Sequence, residues 1–179
     1  MSFNNKRVLV IVAHQDDETI GCGASLKKWS LQGAEIHVCF MTNGGTGVKQ
    51  GTSPNGIVKT RMSESMLAAR HLGIKNLDSL NLGCQEVSNT KDTFHKVIEL
   101  IRKIKPTLVI THDQTCKHRD HKATSQIVEE SVWKAEEDIL EELGPTHRTD
   151  HLWSCEILDP LPEVHFCVDV TSTWNYKIQ

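Results

Sequence analysis

The stretch Arg7-Val8-Leu9-Val10-Ile11-Val12-Ala13-His14-Gln15-Asp16-Asp17-Glu18 decides how this chain is read. Seven residues from Arg7 to Ala13, all but the first apolar, are bounded by polar residues. Such a run predicts a parallel strand covered on both faces. A histidine and three carboxylates follow at once, and then apolar residues at Ile20, Ala24, Leu26 and Leu31 fall mostly at helical spacing. A helix is therefore expected over Thr19–Leu31, capped by Thr19 or Asp17 and stopped by Gly33.

The alternation continues outward. Glu35–Met41 reads as a second strand, and the glycine-bearing Asn43–Asn55 as a long loop. Thr60–Leu72 reads as a helix ending at Gly73, and Leu77–Leu82 as a strand. Thr93–Lys105 reads as a helix closed by Pro106, Thr107–Thr111 as a buried strand, and about Asp120–Leu140 as a helix after the polar stretch His112–Arg119. Two extended segments, Trp153–Leu158 and Val164–Val170, complete the order. Strand and helix in alternation imply an α/β fold, a Rossmann-like three-layer sandwich with a mainly parallel sheet covered by helices on both faces. The 179 residues, 38% hydrophobic, fit one globular domain over 1–179.

Composition excludes some functions. Twenty basic residues against 23 acidic give a formal charge of −3, and the basic residues are scattered, so duplex nucleic acid is a poor partner. The early apolar run is far shorter than the roughly 18 residues of a membrane span; neither signal peptide nor anchor is expected. Six cysteines without a Cys-x-x-Cys pair read as free thiols in a reducing cytoplasm.

In open parallel sheets, ligands bind beyond the carboxyl ends of the strands, near the topological switch point. Two polar clusters fall at that edge: His14 to Glu18, and His118-Arg119-Asp120-His121 a few residues after the strand ending at Thr111. His14 and Asp17, like His118 and His121, are three apart and can converge across one helical turn. Either cluster alone is as readily a helix cap or a solvated pair. Together they supply the three N/O ligands a catalytic zinc needs, two from one cluster and one from the other. Three consecutive acids would also repel one another without a cation nearby.

Ala13-His14-Gln15-Asp16-Asp17-Glu18 followed by Gly21-Cys22-Gly23 and a helix resembles the signature of the PIG-L/LmbE-like N-acetylglucosamine deacetylases, and His118-Arg119-Asp120-His121 looks like their His-x-x-His motif. Thr42-Asn43-Gly44-Gly45-Thr46-Gly47 is similar to the family's loop after the second strand, and Arg61-Met62-Ser63-Glu64 to its Arg-x-x-Glu helix start. The family has proline where this chain has Gln15, and its pattern runs on past the region like Val168–Lys177 into a C-terminal helix that is not seen here.

The resemblance implies a metal, Zn2+ or alternatively Fe2+, on His14, Asp17 and His121. It implies Asp16 as general base and His118 as the partner of the substrate carbonyl; a neighbouring carboxylate, here Asp120, can keep His118 protonated so that it donates to the developing oxyanion. It further implies Arg61, Asn43 and Gly44 toward the substrate, Arg61 facing hydroxyls or an acidic aglycone. Glu18 has two readings, a helix cap or a support for His14. The substrate class implied is a small N-acetylated amino sugar, and the chain is compatible with a homo-oligomer. Two rivals stay open: a metal- or sugar-binding homologue without turnover, and an amidohydrolase of non-sugar amides. Retention of both Asp16 and His118 argues against the first.

Other residues carry weaker expectations. His112 and Asp113 end a strand and can line the pocket, with Asp113 equally suited to a turn. Cys116 reads as an inert loop cysteine, His147 and His151 as solvated. The four tryptophans read as core or subunit contacts, with Trp153 or Trp174 able to stack on a sugar.

Overall fold

A computed structural model describes residues 2–46 and 54–179. Five strands, β1 (Arg7–Val12), β2 (Glu35–Thr42), β3 (Asn76–Leu82), β4 (Leu108–His112) and β5 (His151–Cys155), form one sheet in the order β3-β2-β1-β4-β5, and every pairing is parallel. Val8 to Val12 are entirely buried, which is why this run takes the central place. Each such side chain favours burial by roughly 1.5–3 kcal/mol, and the middle strand is where both faces are covered.

The period of two along β1 sorts the core into two layers. Val8, Val10 and Val12 pack with Cys22, Leu26 and Trp29 of α1 (Asp17–Leu31) and Ala69 and Leu72 of α2 (Pro54–Leu72). Leu9 and Ile11 pack with Val97, Ile98 and Ile101 of α3 (Lys91–Ile104) and Ile127 and Val128 of α4 (Arg119–Glu136). The expected three-layer sandwich is the one observed. The strand order reverses between β1 and β4, so the switch point lies at their carboxyl ends.

Several boundaries differ from the sequence expectations. The helix α1 starts at Asp17, and its cap position is Asp16, at φ 136° and ψ −29° with no side-chain cap bond. Neither Thr19 nor Asp17 caps it, because the Asp17 carboxylate turns back to accept from the His14 amide at 2.8 Å. Gly33 stops the helix as expected, at φ 91°, with the Ala34 amide reaching the Trp29 carbonyl at 3.0 Å. The helix α2 begins at Pro54, six residues early, proline suiting a first helical turn. Of the expected 43–55 loop, residues 47–53 lie outside the described residues.

The helix α4 stops at Glu136 rather than Leu140, because Glu137 turns extended and residues 137–144 wrap around the Arg102 guanidinium. The strand β5 starts two residues and ends three residues earlier than the expected Trp153–Leu158, in register with β4. Val164–Val170 forms no strand: it pairs with none of the five, and Val164 and Phe166 stay exposed. A short helix, α5 (Trp174–Ile178), packs on α1, with the Thr173 hydroxyl donating to the Ala24 carbonyl at 2.7 Å. No helix among the described residues is long and apolar enough to cross a membrane, and the six cysteines are unbonded as expected.

Candidate metal centre and active site

Both polar clusters arrive at the β1–β4 switch point. Asp17 is its hub: buried at the start of α1, it places Oδ2 3.4 Å from His14 Nδ1, 3.4 Å from His121 Nε2 and 3.4 Å from His112 Nε2. These separations exceed a good hydrogen bond. The Asp17–His14 and Asp17–His121 separations match the edge of a tetrahedron whose ligands lie about 2.0–2.2 Å from a central ion, which is about 3.3–3.6 Å. The donor set, one carboxylate oxygen with imidazole nitrogens, suits zinc or ferrous iron. The donor atoms form two overlapping groups, each within 4.8 Å, which share His121: His14 with His118 and His121, and Asp17 with His112 and His121. The expected trio His14, Asp17 and His121 thus spans both groups, joined through the 3.4 Å His14–Asp17 contact.

The electrostatics fit a cation. Burial would raise the Asp17 carboxyl, but the surrounding His112, His14 and His121 imidazoles hold it well below the usual carboxylate range. His121 is pushed down to about 4, by burial first and then by the charges of its histidine neighbours, so it stands neutral and ready to ligate. Burial also pushes the Asp16 carboxyl up, helped by the Asp17 charge and opposed by Arg61 and His14.

The supporting contacts differ from the expected ones. Asp120 Oδ2 lies 3.0 Å from His14 Nε2 and accepts from the Gln85 amide at 2.7 Å, while its Oδ1 is buried without a partner, so the contacts of this carboxylate go to His14 and Gln85 and not to His118. His118 is fixed instead by the Asp120 backbone N–H, which donates to its Nδ1 at 3.2 Å. That bond leaves the His118 hydrogen on Nε2, aimed away from the helix it caps. The ring centroid of His118 is 4.9 Å from that of His14 and 4.5 Å from that of His121. Glu18 serves the helix start: it accepts from the Thr19 hydroxyl at 2.8 Å and the Asp16 amide at 3.1 Å.

On the open side, a cavity of about 270 Å³ is lined by Gln15, Asp16, Arg61 and Glu64. A larger cavity, about 650 Å³, lies between β5 and residues 161–166; none of the clustered imidazoles lines either cavity, but the smaller one is lined by Asp16, next to Asp17 in the chain. Arg61, half-buried in the second turn of α2, packs against Gly44. A side chain at Gly44 would come within 2.3 Å of Gln15 Oε1 and 2.9 Å of Arg61 Cδ, and its φ is +71°. Asn43 spends its side chain on its own turn, accepting from the Gly45 amide at 2.9 Å.

Two residues take roles that the sequence reading did not give them. Cys116 is buried, with Sγ 3.3 Å from His121 Nδ1, and so supports the histidine rather than sitting inert in a loop. His112 packs its ring on His121. Its place at the last residue of a switch-point strand was the available signal; nothing in the sequence marks Cys116. His147 is not solvated, since Nε2 meets the Pro106 carbonyl at 2.7 Å, while His151 is exposed. Asp113 makes a turn, accepting from the Thr115 amide. Trp29 is core and Trp153 packs against it, whereas Trp133 and Trp174 are exposed.

A family model described as PIG-L, GlcNAc-PI de-N-acetylase, matches residues 9–132, a span holding both clusters. This chain belongs to the PIG-L family. Among curated relatives, the diacetylchitobiose deacetylase of Thermococcus kodakarensis is 31% identical over 121 residues, covering 66% of this chain and 45% of that protein. The 1D-myo-inositol 2-acetamido-2-deoxy-alpha-D-glucopyranoside deacetylase of Rhodococcus erythropolis is 28% identical over 149 residues, covering 68% of this chain and 51% of that protein. This PIG-L chain thus spans about half the length of these relatives. Among solved structures, N,N'-diacetylchitobiose deacetylase from Pyrococcus horikoshii superposes with a TM-score of 0.86 at 27% identity, over 97% of this chain and 67% of that one.

Proposed function

We propose that this PIG-L chain is a metal-dependent hydrolase that removes the acetyl group from an N-acetylglucosamine-type amino sugar, releasing acetate and a free amine. The observation that carries the reading is the convergence of Asp16, Asp17 and three histidines of two distant motifs on one switch point, beside a cavity walled by Arg61. The named substrates of its relatives, acetylated amino sugars in each case, support the substrate class.

His14, Asp17 and His121 would hold the ion, zinc or ferrous iron, which supplies acidification of water and polarisation of the amide carbonyl. Asp16, its carboxyl raised, accepts the proton of the attacking water. His118 presents Nε2–H to the carbonyl oxygen as negative charge develops there. As the C–N bond breaks, the proton held by Asp16 or that of His118 passes to the departing nitrogen, giving acetate and amine. Asp120 keeps His14 in one orientation through Nε2. The unbonded cysteines fit action in a reducing cytoplasm.

The deciding experiment is a screen of N-acetylglucosamine conjugates for amine release by the metal-loaded protein. Turnover of simple acetamides as fast as of sugar conjugates would overturn the sugar reading. Arg61 gives a sharper test, because it lines the cavity beside Asp16 and belongs to neither group of possible metal ligands. We expect Arg61→Ala to raise KM about tenfold or more on a conjugate with a polar or anionic aglycone, the loss of one charged hydrogen bond, with little change in kcat.

A further inference from the structure

The two halves of the candidate site lie about a hundred residues apart in sequence, and the β1–β4 ladder pairs only Val8 with Leu108, Leu9 with Val109 and Val10 with Ile110. Beyond it, the link between the strand ends is a side chain. The backbone N–H of Ala13 donates to His112 Nε2 at 2.8 Å, and both residues are buried. The other side of the same ring lies nearly parallel to His121, with centroids 3.9 Å apart and 11° between planes. One imidazole therefore touches the backbone just before His14, stands 3.4 Å from the Asp17 carboxylate and backs the ring of His121.

By position alone His112 could be taken for a ligand, since its nitrogen groups with Asp17 and His121. The Ala13 bond argues otherwise. An amide N–H can only donate, so Nε2 bears no hydrogen and its lone pair is already engaged. Ligation through Nε2 would take this acceptor away from the buried Ala13 amide, and a buried donor left without an acceptor is unfavourable.

We propose that His112 is a positioning residue, a clamp that holds His14 and His121 at the spacing a metal requires without binding the metal itself. The proposal rests on the reading of His14, Asp17 and His121 as ligands. Two substitutions separate its parts. His112→Phe keeps a stacked ring and loses the acceptor, whereas His112→Gln can restore an acceptor near Nε2 and loses the ring.

The test is Zn2+ titration of each metal-free protein against a chromophoric chelator, with amide exchange at Ala13 and the thermal midpoint of the metal-free chain followed alongside. The clamp predicts one ion per chain in every variant, with affinity reduced about 10- to 100-fold in the Phe variant, the range for groups that orient ligands. It also predicts fast Ala13 exchange in the Phe variant, slow exchange in the wild type, and partial recovery of both properties in the Gln variant. Loss of stoichiometric binding in both variants would make His112 a ligand and overturn the proposal. An unchanged affinity in the Phe variant would also overturn it, as would an affinity loss that only follows collapse of the metal-free fold without rescue by Gln. If the wild-type chain binds no divalent ion while its Ala13 amide stays protected, the metal reading itself falls and the clamp falls with it.

Discussion

Asp16→Asn should cut turnover by at least about a hundredfold while the protein keeps its metal, the low end for loss of a general base. The substitution is nearly isosteric and leaves the backbone and Cβ atoms as they are, so the backbone at φ 136° gains no new strain. Such a conformation costs about 1–3 kcal/mol and persists where the surroundings enforce it. Here the Asp17 carboxylate pulls back the His14 amide, and Glu18 takes the Asp16 amide. Asp16 itself falls in neither compact group of donor atoms and faces the cavity beside Arg61. An amide there cannot accept a proton. Metal analysis beside kinetics decides the matter: retained activity, or stoichiometric loss of metal, would remove Asp16 from the base role.

The parts of this molecule legible in its sequence are those governed by short-range patterns. Val8 to Val12 could only be a covered strand, and the order of strands and helices led to a switch point with two polar clusters on it. The Gly33 stop was legible because a left-handed residue after a helix is a local requirement. What escaped depends on neighbours distant in the chain. Asp120 holds His14 across 106 residues, and no spacing rule distinguishes that from a bond to the adjacent His118. Val164–Val170 has the composition of a strand but no ladder partner, and strand formation needs one. Cys116 acquires its role only because α4 folds His121 back over it.

Arg102 belongs to the same class, and its replacement should have the largest effect on stability. In the sequence it follows Val97, Ile98 and Ile101 on α3 and would pass for a solvated helix residue. In the fold it is 1% exposed, and its five N–H groups donate to the carbonyls of Ala135, Glu137, Ile139, Leu140 and Gly144, with the Lys134 carbonyl 3.5 Å from Nη2. No carboxylate among the described residues pairs with it, so its charge is met by backbone dipoles at the C-terminal end of α4, where unpaired carbonyls gather partial negative charge. Arg102→Met nearly preserves volume and removes every donor. Each buried carbonyl left bare costs about 1–3 kcal/mol, less where water can enter. We expect a net loss of about 3–5 kcal/mol by urea denaturation, a large fraction of a domain stability of roughly 5–15 kcal/mol. Arg102→Lys should recover only part, since three donors on one nitrogen cannot span carbonyls from residues 134 to 144. A loss below about 1 kcal/mol in the Met variant would mean that water satisfies those carbonyls and that Arg102 does not anchor the end of α4. Because His118, Asp120 and His121 sit at or beside the opposite end of that helix, the same variant tests whether the metal-side cluster depends on a distant tether. If it does, zinc affinity should fall together with stability.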